Sequence, residues 1–397
     1  MQVVKQLNPL IFLAPLAMLS LPLGAPNSIT QSLALLLLAP IAFIATKSAI
    51  KKPIFITILI GTLLVSLFQV ALNPNKEYSV YQAIRSALPF YLLCAIVVSY
   101  KKILARIIAF EDRTPGSVQK LFDRAVRVFA TLSFIQTTTF FLGFSLANAL
   151  SQSENDRVMI FQTTSIVLVF FYSIIRRNFI NIFLTSIVII GTGSKAIFVA
   201  TLLLTFFAAY SRPKFSMLLK IVGGTLILGG TLFYFNPLVI ERLAEFAINS
   251  DGEKFKDATR EYEIEQAKET LLENPATTVL GAGFAMQVSH GVPSLDPAWE
   301  ENSKYDIENG YWGALVKLGF FFTMLFALSI AKGLPRDEFL MAILLVQSVM
   351  FMKTSYQLFA YMDGVCMLLW SICMVAINKI NANRNSHQSQ FQQSIQR

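Results

Sequence analysis

Four cations stand at the edges of apolar runs: Arg85 in "YQAIRSALPF", Arg157 in "ENDRVMIFQTTS", Lys195 in "GTGSKAIFVA" and Lys353 in "FMKTSYQ", the last two in otherwise uncharged surroundings. A charged side chain at membrane depth is costly and marks a functional site by default. Arg offers paired donors to phosphate oxygens and Lys a point charge. Four such groups on one face therefore suit an anionic substrate, a diphosphate above all. The plainer alternative is snorkelling, in which Lys and Arg near helix ends merely reach the headgroups. That accounts easily for one residue and poorly for four on one leaflet. The Gly-Thr-Gly-Ser before Lys195 suits a tight turn between antiparallel helices. A helix starting there would also turn its free N–H groups toward an anion.

A second set closes in on "KYDIENGYWGALVKLGFF" (304–321). Asp306 and Glu308 lie at the mouth of an apolar run, with Asn309 and Tyr311 beside them. A carboxylate next to a cationic pocket can accept a proton from an attacking hydroxyl. The same two carboxylates can equally cap the N-terminus of the following helix. His290, in "VSHGVPS", is a further base candidate with a weaker signal, being a lone loop histidine. With two histidines and no paired Cys/His spacing, a zinc site is disfavoured. Cys94, Cys366 and Cys373 fall in apolar runs, so neither a disulfide framework nor a CxxC site is suggested.

The elements that must position these groups are membrane-grade. The 397 residues are 54% hydrophobic and 14% charged, against about 25% charged in soluble domains. Apolar runs recur along almost the whole chain without the alternation of barrel strands, which predicts an all-α polytopic membrane protein. Twelve spans of about 20 residues are expected, near 8–24, 30–47, 53–72, 84–100, 126–149, 158–175, 178–191, 195–210, 218–235, 310–331, 338–353 and 356–377. The first reads as a retained helix, with no small-x-small cleavage site after it.

With the N-terminus cytoplasmic, 21 of the 33 Lys and Arg fall in inside segments, which satisfies the positive-inside rule. The net charge of +9 is then a property of cytoplasmic loops, and no nucleic acid is expected as a partner. Arg85, Arg157, Lys195 and Lys353 all come to the outer face. Helices 1–9 occupy residues 1–235, helices 10–12 residues 309–378, and a disordered cytoplasmic tail residues 379–397. Residues 236–308 form a hydrophilic outer cap carrying 15 of the 24 acidic residues. Within it "DATREYEIEQAKETLLENP" predicts a helix with Ile264, Ala267 and Leu271 on one face and a stop at Pro275. "VLGAGFAMQ" predicts a glycine-bent return.

In order and spacing these pieces resemble the bacterial O-antigen ligase and O-antigen/exopolysaccharide polymerase family. The resemblance covers roughly residues 150–325 and rests on "DRVMIFQTTS", "GTGSKAIFVA", and "TREYEIEQAKETLLENPATTVLGAGF" followed by "IENGYWGALVKLGF". The N-terminal third is similar only in hydropathy. The resemblance implies a GT-C-like helical fold in the bacterial inner membrane, acting on polyprenyl-diphosphate-linked glycans at the periplasmic face. It implies no metal and no cofactor, and the chain holds no Asp-x-Asp pair. It also implies lipid-linked oligosaccharides as substrates and a chain-length regulator as a protein partner. By position, Arg157, Lys195 and Arg260 would hold the diphosphate, and Glu308 would act on the acceptor hydroxyl.

Lys195 stands where the family has Arg, and Glu308 where ligases have His; the second departure favours a polymerase. A ligase acting on lipid A core is the alternative enzyme. A flippase for the same substrate is the alternative outside catalysis, and it would need ionisable groups near mid-membrane. Lys317 is the one candidate for that.

Overall fold

Long runs of Leu, Ile, Val and Phe close into helices, because inside a helix every backbone polar group away from the ends finds its partner four residues off. The computed structural model describes residues 28–72, 80–141, 163–191, 195–211, 251–284, 288–289, 303–304, 309–334, 337–351 and 363–395. In chain order they form α1 (Ser28–Ala49), α2 (Pro53–Leu72), α3 (Val80–Arg113), α4 (Ser117–Phe141), α5 (Thr163–Arg176), α6 (Phe179–Gly191) and α7 (Lys195–Ser211). There follow α8 (Asp251–Leu272), α9 (Pro275–Leu280), β1 (Val288–Ser289), β2 (Ser303–Lys304), α10 (Gly310–Gly333), α11 (Glu338–Phe351) and α12 (Asp363–Ile395). The fold is all-α, apart from the two-residue antiparallel pair of β1 and β2.

Two helical stretches, Pro53–Ala71 and Gly310–Gly333, are long and apolar enough to cross a membrane, and Leu38–Ala49, Ser165–Arg176, Phe179–Gly191 and Met367–Ala382 are shorter apolar stretches. The expected spans at 8–24 and 218–235 lie outside the described residues.

The core gathers around Trp370 of α12, fully buried against Phe122 and Phe129 of α4 at ring distances of 5.0 and 6.2 Å. Outside this core the usual polarity is reversed. Leu64, Phe68 and Ile180 are 60%, 64% and 73% exposed, whereas the hydroxyls of Thr137, Thr185 and Thr201 are buried. Each of these hydroxyls donates to the carbonyl one turn back (Ser133, Asn181 and Ile197 respectively), at 2.6–2.8 Å. Such local back-bonding satisfies a polar group with no partner from another element.

The connections fix which helix ends lie together. The turn after α3 closes directly onto α4, and the buried Glu111 carboxylate accepts from Gly116 N and from Val118 N, the latter at 2.9 Å. Tyr172, near the end of α5, donates to Asp123 Oδ1 at 2.6 Å near the start of α4, where Arg176 also approaches at 3.8 Å. The end of α3, the start of α4 and the end of α5 therefore share one end of the bundle. The starts of α3 and α5 lie at the other. Only two residues separate α5 from α6 and three separate α6 from α7, so α7 also starts at that second end.

Two expectations change here. The basic segment after residue 100 is not a loop: α3 runs on to Arg113, with Tyr100, Ile103 and Ile107 buried along one side. The expected disordered tail (379–397) is helical as far as Ile395, since "NANRNSHQSQFQQSI" holds no Gly or Pro to interrupt α12.

Candidate functional site

The site is built where α10 breaks. Asn309 caps this helix, its Oδ1 accepting from Tyr311 N at 3.1 Å and Trp312 N at 3.3 Å. Tyr311 donates its hydroxyl to Ser348 O at 3.0 Å and sets its ring 5.0 Å from Phe351, tying the start of α10 to the end of α11. The contacts of these two expected site residues are thus helix-capping and helix-joining.

Nine residues in, Gly319 takes φ 65° and ψ 177°, a conformation open essentially to glycine alone. The break releases backbone carbonyls, and the glycine loop after α9 takes them. Ala282 N donates to Val316 O at 2.6 Å and Gly283 N to Lys317 O at 3.2 Å. Gly281, at φ 85°, crosses Gly319 so closely that a Cβ on it would lie 2.6 Å from Gly319 N. Gly283 approaches α2, where Phe284 N donates to Ser66 Oγ at 3.0 Å. The expected glycine-bent return is therefore a plug, hydrogen-bonded to both α10 and α2. The Phe284 ring completes it, lying 5.8 Å from Phe90 and 5.6 Å from Tyr91 of α3.

Lys317 stands on the turn before the break, 3% exposed, its Nζ donating to Ser86 Oγ of α3 at 3.3 Å. Ser86 is as deeply buried. One turn on, Pro89 has no N–H to offer the Arg85 carbonyl, a local break in the ladder of α3. Nearby, Thr62 Oγ1 and Tyr91 OH are 2.8 Å apart. Thr62 spends its only proton on Ile58 O at 2.6 Å, so Tyr91 is the donor of that pair.

Ser66 lies six residues before the end of α2, Ser86 six after the start of α3, and Lys317 seven after the start of α10. At about 1.5 Å per residue, all three sit about 9–10 Å below one end of the bundle.

The cap helix α8 reaches the same place. Its buried line is Glu263, Ala267 and Leu271, not the expected Ile264, which is half-buried. Spacing of four selects that line, and its Ala267 and Leu271 pack on Trp312, Leu315, Val316 and Ala282. Lys268 Nζ adds a cation 5.5 Å from the Trp312 ring.

Of the expected cations, Arg85 lies in the second turn of α3, next to Ser86 in the chain; Lys195 is the first residue of α7; and Arg260 lies within α8. Arg85 and Lys195 thus belong to helices that start at the same end as α10. Arg157, Lys353, His290, Asp306 and Glu308 lie outside the described residues. Among the described residues no group of three His, Cys, Asp or Glu side chains comes together.

Sequence reasoning noticed Lys317 as a transporter mark or a member of the pocket, and missed its partner Ser86, the Gly281–Gly319 crossing and the burial of Glu263. The signal for the crossing was a Gly-x-Gly at the end of the cap and a lone Gly in the next apolar run. Comparison with family models, curated proteins and solved structures finds no match for this chain.

Proposed function

We propose that this chain is a polytopic inner-membrane polymerase of a bacterial surface polysaccharide, O-antigen or exopolysaccharide, with about twelve spans and its site at the periplasmic face. The observation that carries the reading is the convergence at one bundle end. The starts of α3, α7 and α10 lie at one end of the bundle, with Arg85 and Lys195 in the first two turns of α3 and α7, and the cap's glycine loop plugs the break in α10 beside Lys317. Apolar side chains outside and back-bonded hydroxyls inside suit a bundle surrounded by lipid. Non-helical backbone at membrane depth is tolerated where protein buries it or where it lines a cavity. The Gly281–Phe284 plug fits that condition.

In the reaction, a sugar hydroxyl of one lipid-linked repeat unit attacks the anomeric carbon of the growing chain from the face opposite its diphosphate. The new glycosidic C–O bond forms as the bond to the diphosphate oxygen breaks, with inversion. The hydroxyl proton passes to Glu308, with Asp306 as its neighbour. The leaving polyprenyl diphosphate gains negative charge, which fixed cations from Arg157, Lys195 and Arg260 stabilise in a water-poor site. A flippase would carry its ionisable groups near the middle of a core about 30 Å thick. Lys195, the first residue of α7, stands instead at a helix end, which favours the rim site.

Acceptor exchange tests the reading. Purified protein in proteoliposomes should join lipid-linked repeat units to one another with no second substrate. Transfer that waits for a lipid A core acceptor identifies a ligase, and movement across the bilayer without new bonds identifies a flippase.

A further inference from the structure

We propose that α9 is seated in the outer leaflet of the bilayer, so that the cap is held among lipid acyl chains as well as to the bundle. The inference rests on the reading of this chain as a lipid-surrounded bundle and goes beyond it by giving the cap a membrane surface of its own.

Four observations carry it. The first is position. The end of α9 lies on Gly319, where an added Cβ would meet Val279 O and, at 2.6 Å, the Leu280 carbonyl carbon. Gly319 stands about 14 Å along α10 at the helical rise. Because α10 is long and apolar enough to cross a membrane, α9 lies beside that stretch and not above it.

The second is the surface. Thr277 is buried, while Ala276, Val279 and Leu280, three and four residues apart, share the exposed side of α9. Phe320, the residue after the crossing, is exposed, as are Phe321 and Met324 further along α10. The apolar side of the cap therefore adjoins the apolar outer side of a spanning helix, and contiguous patches of this kind mark interaction surfaces. Its continuity with the face of α10 favours lipid as the occupant over a protein partner.

The third is charge. The cap is acidic, yet no Asp, Glu, Lys or Arg stands between Glu273 and Asp296. The fourth is the backbone. Pro275 has no N–H to place, Ala276 N donates to Asn274 Oδ1 at 2.9 Å, and Gly281 N donates to Thr277 O at 2.8 Å. Ala282 N and Gly283 N donate to α10, and Phe284 N to Ser66 of α2. Even the Thr278 hydroxyl turns back, to Leu271 O at 2.6 Å. A loop in water can leave such groups to solvent, whereas a segment in hydrocarbon cannot.

The test is fluorescence quenching on the full chain in phosphatidylcholine vesicles, with a nitrobenzoxadiazole label on an introduced cysteine. Val279→Cys reports on the proposed surface, and Ala276→Cys is a milder change on the same side of α9. Phe68→Cys is the reference on the apolar outer side of α2, and Glu265→Cys the reference at an exposed carboxylate of α8. Wild type, carrying only its native cysteines, gives the background. The quenchers are a doxyl-labelled phosphatidylcholine and aqueous iodide. Both α9 labels should lose several-fold more emission to the doxyl lipid than to iodide, as should Phe68→Cys, and Glu265→Cys should show the reverse.

Iodide quenching of the α9 labels equal to that of Glu265→Cys overturns the proposal, since the cap then stands in water. Shielding from both quenchers overturns it as well, by placing a protein partner or a second copy on this face. Should Val279→Cys not fold, Ala276→Cys decides by the same outcomes. A Phe68→Cys label reached by iodide and not by the doxyl lipid refutes the lipid-surrounded reading itself, a result separable from failure of α9 alone.

Discussion

Replacing Gly319 by Ala tests whether the glycine crossing holds the cap to the bundle. The residue sits at φ 65° and ψ 177°, a region that costs other residues on the order of 1–3 kcal/mol. A Cβ there would lie 2.6 Å from the Leu280 carbonyl carbon and closer still to Gly281 N and Val279 O. All three are backbone atoms, so none can swing aside, and overpacking adds about 1–3 kcal/mol. Together the loss is roughly 2–6 kcal/mol, a large part of a folded protein's usual stability.

Gly116→Ala is the control. Gly116 has φ 83°, but its added Cβ would meet only Lys120 Cε at 3.8 Å, so it carries the strain without the collision. Thermal unfolding can be followed by a thiol-reactive dye, because Cys94 and Cys373 are free and buried. At about 2 °C per kcal/mol, Gly319→Ala should lower the midpoint by roughly 4–12 °C, and Gly116→Ala by about half of that. Equal shifts in the two variants would refute the crossing as a structural joint.

Thr62→Val and Tyr91→Phe each break the 2.8 Å hydroxyl pair between α2 and α3. A double-mutant cycle on unfolding midpoints should give a coupling of about 1 kcal/mol, and additive losses would contradict the pairing. Asp123→Ala should cost about 1–2 kcal/mol, mainly through the Tyr172 hydroxyl bond. Asp123→Asn, which still accepts that bond, should cost less than half as much, because the 3.8 Å pair with the half-exposed Arg176 contributes little. Glu111→Ala leaves Gly116 N and Val118 N without their acceptor and should cost about 1–2 kcal/mol in the same melting assay. Arg157→Ala and Lys195→Ala should each abolish polymer while yield and melting temperature hold. Normal polymer from either would remove that residue from the diphosphate pocket.

Hydropathy made the helices legible. The ranges for α1, α2, α6 and α7 follow their apolar runs to within two residues, because nothing polar competes inside such runs. It misplaced the end of α3, where Lys101, Lys102 and Arg106 look like loop while Ile103, Leu104 and Ile107 on the other face hold the helix to the core. The same limit hid Glu263. A carboxylate on an amphipathic helix reads as its wet side, and only tertiary packing reveals that the buried line runs Glu263, Ala267, Leu271.

For the site, Arg85 and Lys195 fall on helices that start at one bundle end, while Arg157 and Lys353 lie outside the described residues. Which groups touch was not legible. The Lys317–Ser86 pair and the Gly281–Gly319 crossing join residues far apart in the chain, and neither has a local pattern that names its partner. Asn309 shows the converse: a residue read for chemistry takes its described contacts as a helix cap.

The central claim is that this chain forms glycosidic bonds by displacing a polyprenyl diphosphate with its own side chains. The direct measurement is a reaction of purified protein with lipid-linked repeat units alone, in the presence of a metal chelator, read by glycan size and by free polyprenyl diphosphate. A ladder of repeat lengths, with one diphosphate lipid released for each new bond, is the expected result. Unchanged repeat units with no released diphosphate lipid, from protein that is folded and correctly inserted, would contradict it.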